Sequence, residues 1–474
     1  MGASDDSAAK SKAVPPALPA RAKKRRSPWR VWLIIFSLLL LIGAAAILTL
    51  AVRHSRLSAG INGRLASIRA LHEPVSLTEL NKYYAEVPQP SNAAVLYGNA
   101  FKIVRQSKEL KKLEHADELP SGSESLPRDL QETMQQAVTE NQDALKVLDS
   151  ASNFLSCRYP VDYSHGWQTL LPHLKDLPNL TRLYLYRGTI EEQLGHADVA
   201  IDSVKAILQI SASLDPEPDM ISLVVQSKIR FHAIELLRWV LNHRQLTESQ
   251  LIGLQELFSE EGNDRLQKAA IGERCMILAV YGYGPTDVLR LIDPSAGDNL
   301  MAILGMHVYE ITGMLKEDEI YYLDQMIEAR RMLQLPFPER LERAEEISEE
   351  AKNNILSKRE IVGGFSITSF LKFVGRATQS VARQRLARTA LGIERYRLAK
   401  GELPAVLVDL APNYLLDVPI DPFDGEPLRY KKQVHGFVVC SIGPDGEDDG
   451  GVKPISPHAI AEKPRGDIIL TVSR

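Results

Sequence analysis

The stretch Ser441–Gly451, Ser-Ile-Gly-Pro-Asp-Gly-Glu-Asp-Asp-Gly-Gly, holds the densest group of chemically useful side chains in the chain. Asp445, Glu447, Asp448 and Asp449 crowd four carboxylates that repel one another unless something positive lies between them. Gly443, Gly446, Gly450 and Gly451 permit turns that aim backbone carbonyls inward. Calcium takes roughly 6–8 oxygen ligands of these two kinds. The four acidic residues are therefore a candidate calcium site, which Asp421, Asp424 and Asp467 could complete if the fold brings them close. The loop is not an EF-hand, because D-x-[DN]-x-[DN]-G is absent. The competing reading is an exposed acidic turn held by Asx hydrogen bonds.

Other candidates for chemistry are weaker. His72-Glu73 begins like HExxH, but Ser76 stands where the second His belongs and Pro74 would break the helix. "YGYGPTD" (281–287) has Gly-x-Gly without a third glycine or a preceding strand. Ser369-x-x-Lys372 lacks the partner motifs of an SxxK enzyme and reads as a helix surface. His165 and His173, with Asp162 and Asp176 nearby, could ligate a metal or simply cap and pack. Cys157, Cys275 and Cys440 match no metal spacing or CxxC pattern, allow at most one disulfide, and read as buried or idle thiols. Catalysis needs a nucleophile or acid/base group held by a partner. No such pair is legible, so the sequence predicts no enzyme.

The elements that position these residues start with a membrane segment. Val31–Val52 is a 22-residue run without an ionisable side chain. As a helix it spans roughly 33 Å, enough for a hydrocarbon core of about 30 Å. Trp29 and Trp32 lie at one end, where aromatic rings favour the interface. The run exceeds a usual signal-peptide core and no small-x-small site follows it, so it reads as an uncleaved anchor. Eight Lys or Arg precede it, and four follow within twenty residues: Arg53, Arg56, Arg64 and Arg69. The positive-inside rule then puts the N-terminus in the cytoplasm and the bulk outside. Residues 1–30, too polar and Pro/Ala-rich to bury a core, read as a disordered cytoplasmic tail. Beyond residue 30 the chain carries 48 basic and 58 acidic residues, an excess that repels phosphate backbones and argues against nucleic acid.

Residues 53–365 read as helices. Ser76-x-x-Glu79 and Thr247-x-x-Gln250 are capping boxes. Residues 92–104 and 124–151 are amphipathic runs, and prolines punctuate the connections. At 180–214 two amphipathic helices meet at Gly195-His196, a turn similar to a tetratricopeptide hairpin. The pairs 221–243 with 247–260, and 264–281 with 318–334, are hairpin-like without repeating that pattern. The expectation is an irregular TPR-like solenoid, or equally a helical bundle without a binding groove. The charged run 339–360 reads as a solvated helix.

The pattern changes at residues 366–474. A helix ends at Gly401, with Pro404 beyond it. Strands are expected near 427–432, 436–442 and 466–473, making a small α+β module with an antiparallel sheet. "ALGIERYRLAKGELPAVLVDL", "DVPIDPFDGEPLRYKK" and "FVVCSIGPDGEDDGG" together resemble the C-terminal half of type II secretion major pseudopilins, over roughly 379–474. In that family the corresponding loop binds calcium, which the resemblance places at Asp445–Asp449. The prepilin-peptidase site is missing, since "RRSPWRVWLIIF" stands before the membrane helix, and about 310 residues separate that helix from the module. The whole architecture resembles uncharacterised single-pass bacterial membrane proteins, with "EPVSLTELNKYY", "VPQPSNAA" and "CRYP" stretches.

The expected protein is mainly α. It is a bacterial inner-membrane protein with a periplasmic helical domain and a pseudopilin-like end, and it serves as a non-catalytic scaffold for unidentified envelope proteins. The alternatives are a relative of a type II secretion or type IV pilus-like system, and a hydrolase with an unrecognised site.

Overall fold

The computed structural model describes residues 28–113, 116–154, 156–258, 264–293, 295–357, 360–452 and 465–474. Residues 1–27 of the expected tail lie outside them. Contacts divide the chain into Met1–Ser55 and Arg56–Arg474. The first unit is described by the start of helix α1, Pro28–Arg69, which continues into the second. Its apolar stretch is exposed, and the helix is long and apolar enough to cross a membrane by length and composition. That is compatible with a single-pass anchor or a signal sequence. Past the apolar stretch, Ile61, Leu65 and Ile68 at helical spacing pack on Leu278, Ile320 and Leu323 in the second unit.

The second unit is mainly helical. It opens with α2 (Leu77–Tyr83), α3 (Ala94–Val104), α4 (Lys108–Lys112), α5 (Arg128–Glu140) and α6 (Gln142–Ala151). Next come α7 (Pro172–Gln193), α8 (Ala197–Ala212), α9 (Met220–His243) and α10 (Glu248–Leu257). Then follow α11 (Asp264–Val280), α12 (Pro285–Ile292), α13 (Leu300–Ile311), α14 (Met314–Met332), α15 (Glu339–Leu356) and α16 (Ile361–Lys400). Thr247 and Gln250 form both halves of their capping box. At α2 the Ser76 hydroxyl accepts from the Glu79 amide, but the Glu79 carboxylate accepts from Val75 rather than from the cap residue. The single helix expected over 124–151 is two, α5 and α6. Buried Asn141 breaks it: its amide donates to the Ala137 carbonyl at 2.8 Å and the Ser107 hydroxyl at 3.0 Å, competing with the helix ladder.

Helices α7 and α8 form the expected hairpin, turned at Gly195 with φ +94°. They pack with α9, and the three approach closely because Gly188 has no side chain. A Cβ there would stand 2.6 Å from Leu236 of α9. Helix α9 is buried on several faces, with Leu236, Leu237, Trp239 and Leu241 fully enclosed. Helices α11 and α14 do pack together, with α12 and α13 inserted between them in the chain.

Helix α16 runs 40 residues, and the sequence boundary at 366 falls inside its first turns. Its N-terminal half packs on α14 and α15, and its later residues reach α9, α10 and the sheet. The helix ends on Gly401 at φ +75°. The sheet has the antiparallel order β1 (Arg429–Gln433), β2 (Gly436–Ser441), β3 (Ile468–Ser473), with Tyr430 opposite Val439 and Val439 opposite Leu470. Alternation sends Phe437, Val439, Leu470 and Val472 into the core. Strand β3 is an edge, and Asn242 of α9 occupies it. The Asn242 side chain donates to the Thr471 carbonyl (3.0 Å) and accepts from the Ser473 amide (2.7 Å), blocking further strand addition there.

Candidate functional site

The acidic loop adopts the turns its glycines allow: Gly443, Gly446, Gly450 and Gly451 all have positive φ. Two of its four carboxylates, Asp445 and Asp448, accept from backbone amides within the protein. Asp445 is half-buried and accepts from the Gly466 amide (2.9 Å) and the Glu447 amide (3.4 Å). Asp448 accepts from the Gly450 amide (3.0 Å), and Glu447, Asp448 and Asp449 are exposed. The two i to i+2 bonds are the Asx pattern. Asp467 takes the Asp449 and Gly451 amides, so it does join the loop.

Asp421 and Asp424 meet the loop through Arg429. Asp421 is fully buried and accepts from the Ser441 hydroxyl and the Ile442 amide, both at 2.8 Å, and from Arg429 at 3.2 Å. Arg429 also pairs with Asp424 and lies 3.7 Å from Asp448. Burial pushes the Asp421 carboxyl up. Burial opposes charge on Asp424 too, but Arg429 and the Glu426 amide outweigh it and hold that carboxyl below its usual range. A guanidinium thus lies among three of the carboxylates considered for a metal. Among the described residues, no group of three or more His, Cys, Asp or Glu is placed to hold a metal ion.

The other sequence candidates are spread apart. His173 is buried, stacks on Tyr159 at 4.1 Å, and lies 2.8 Å from fully buried Glu217. Asp176 pairs with Arg105. His165 is exposed, 3.6 Å from Asp162, which caps the turn Tyr163–Gln168 through the Ser164 amide. Glu73 of the HExxH-like stretch is a buried partner of Arg274 and Arg330. Ser369 and Lys372 lie on α16.

A feature without a sequence signal lies between α9, α11, α15, α16 and the turn before α15. There a cavity of about 500 Å³ is lined by four arginines: Arg230, Arg265, Arg340 and Arg385. Each is less than 10% exposed. Neutral oxygens are among the acceptors of all four. Arg230 donates to Ser211 (3.0 Å) and Gln384 (3.2 Å), Arg340 to the Leu335 carbonyl (2.8 Å), and Arg385 to the Ile420 carbonyl (2.8 Å). The Arg340 and Arg385 guanidiniums lie 4.3 and 5.6 Å from the centre of the Phe337 ring. Arg265 donates to Gln226 (3.2 Å) and to the Glu217 carbonyl, and its Nη2 is buried without a hydrogen-bond partner. Burial pulls its pKa down, against the attraction of Asp219, Glu217 and Asp215.

The rest of the lining is mixed. Leu223, Leu266, Pro336, Ala377, Val381 and Ile420 are apolar, while Gln226, Ser227, Thr378, Ser380 and Gln384 are neutral and polar. Among the described residues no Asp, Glu, His or Cys lines the cavity. Such a lining can hold an anionic head by charge-assisted hydrogen bonds and cover an apolar body. Sequence reasoning missed it because the four arginines come from separate elements between positions 230 and 385. No protein-family description, curated protein or solved structure matches this chain.

Proposed function

We propose that this is a membrane-anchored, non-catalytic binding and scaffolding protein of the bacterial envelope, whose periplasmic cavity holds an organic anion with an apolar portion. The observation that carries the reading is the four-arginine cavity, above all the buried Arg265 Nη2 that lacks an acceptor. A buried donor without an acceptor costs roughly 1–3 kcal/mol, and a bound carboxylate or phosphate oxygen would supply one. Among the described residues no acid or base lies beside the lining hydroxyls, which favours binding over hydrolysis. The basic residues before the apolar stretch of α1 support an N-terminus inside and the bulk outside. The α7–α8 hairpin packed against α9 supports a scaffolding role for the helical body.

The test is thermal unfolding of the full chain in detergent with phenyl phosphate, and with benzyl alcohol as the uncharged comparison. Native-state binding raises stability according to concentration over Kd. Phenyl phosphate is expected to raise Tm and benzyl alcohol is not, and Arg265→Met or Arg340→Met should remove most of the rise. Equal shifts with both compounds, or shifts unchanged in both variants, would sink the reading. A second reading, a relative of secretion or pilus-like systems, is favoured by the helix and three-stranded sheet of residues 379–474. Co-purification with pilus-assembly parts is its test.

A further inference from the structure

Helix α13 shows solvent an apolar face. Leu300, Met301, Leu304, Val308 and Ile311 are between 51% and 78% exposed. At about 100° per residue they fall on one arc roughly 100° wide. Glu310 is turned well off that arc, and Met306 and Tyr309 on the far side are buried against Val280, Val288 and Leu315. The outer face is therefore not a spare core face, and Leu291 of α12, the helix packed beside it, is exposed as well. A contiguous patch of this kind marks an interaction surface.

Chain connectivity indicates what covers it. Ser58 follows Val52 by six residues, so chain length alone keeps it within about 20 Å of the apolar stretch. The Lys316 ammonium donates to the Ser58 hydroxyl at 2.8 Å. Lys316 lies in the first turn of α14, five residues after Ile311. The C-terminal end of α13 is thus tied, through one hydrogen bond and two short chain segments, to the exit of the apolar stretch. We propose that α13 lies in the headgroup region of the same bilayer, with its aliphatic face toward the acyl chains. This rests on reading α1 as a membrane anchor. Interfacial helices bury an apolar face about 5–10 Å into the headgroup boundary. Here the protein covers the opposite face instead of water.

The test uses the full chain in phosphatidylcholine liposomes. Cys157, Cys275 and Cys440 are buried, so a cysteine introduced at the surface can be labelled selectively. A bimane label is placed at Met301→Cys, at Leu39→Cys within the apolar stretch, or at Val434→Cys, 93% exposed between β1 and β2. Lipids with shallow or deep nitroxides then quench labels at their own depth. Shallow quenching at 301, deep quenching at 39 and none at 434 are expected, and Leu304→Glu/Val308→Glu should reduce the signal at 301 alone. Quenching at 39 with none at 301 overturns the α13 inference and leaves the anchor intact. Absence of quenching at 39 overturns the anchor reading and the inference with it. A label at 301 shielded from aqueous iodide yet untouched by either nitroxide assigns the face to protein and overturns the inference.

Discussion

Asp318→Ala tests how the longest helix of the second unit is started. Helix α16 begins at Ile361, and its own cap residue Glu360 gives no side-chain cap. The acceptor comes instead from α14. Fully buried Asp318 accepts from the Val362 and Gly363 amides at 2.8 Å each, the Tyr309 hydroxyl at 3.1 Å and the Tyr281 hydroxyl at 3.2 Å. Gly363 permits the approach, since a Cβ there would stand 2.6 Å from the carboxylate. Two charge-assisted amide bonds and two hydroxyl bonds total about 6 kcal/mol gross. Burial raises the carboxyl to about 6 even with those four donors in place. Alanine leaves the four buried donors without their acceptor, and the loss is about 3 kcal/mol or more at pH 7. It grows as pH falls to 5.5, because protonation relieves a cost that alanine never carried. Urea unfolding of the full chain in detergent gives the energy, and hydrogen exchange over 361–366 gives the location. A loss under about 1 kcal/mol, with exchange at Val362 and Gly363 unchanged, would refute the cross-helix cap. The consequence reaches the cavity, because α16 supplies Thr378, Gln384 and Arg385.

Stability should fall as pH rises from 5.5 to 7.5. Burial raises Glu273 and Glu319 to about 7 and Asp318 to about 6, so the folded chain binds protons there that the unfolded chain has released. Buried His232, held below its usual pKa, opposes this with one group. Urea midpoints at the two pH values check the sign. Gly272→Ala should cost about 3 kcal/mol or more, because its Cβ would stand 1.4 Å from the Pro218 carbonyl oxygen and backbone cannot rotate away. Tm and phenyl phosphate affinity should both drop, since Arg265 rides on the same helix. Arg429 already lies among Asp421, Asp424 and Asp448, so calcium or chelator should shift the native Tm by less than about 1 °C. Arg429→Met should make Tm calcium-dependent, with Asp445→Ala/Asp448→Ala abolishing the response. A calcium-dependent rise in the native chain would instead make the loop a metal site.

Much of the second unit's secondary structure was legible because its determinants are local. The Thr247–Gln250 box, the Gly195 turn, the Gly401 stop and the three strands depend on residues a few positions apart. Asn141 escaped notice because its effect depends on burial beside Ser107, 34 positions away. The continuation of α1 to Arg69 was equally hidden. The stripe of Ile61, Leu65 and Ile68 against α11 and α14, with the Arg64–Asp324 ion pair, gives that segment a reason to remain ordered.

The site divides the same way. By itself the sequence determined an apolar segment long enough for a membrane, a helical body, and a glycine-rich acidic loop able to turn. Period, length and backbone freedom are properties of neighbouring residues. The tertiary structure alone decided which charges meet. It set Arg429 between Asp421, Asp424 and the loop's Asp448, gave α16 a cap from α14, and turned four arginines from distant elements into one cavity. Electrostatic and hydrogen-bond energies fall off over a few ångströms of space, and residues that close can lie a hundred positions apart in the chain.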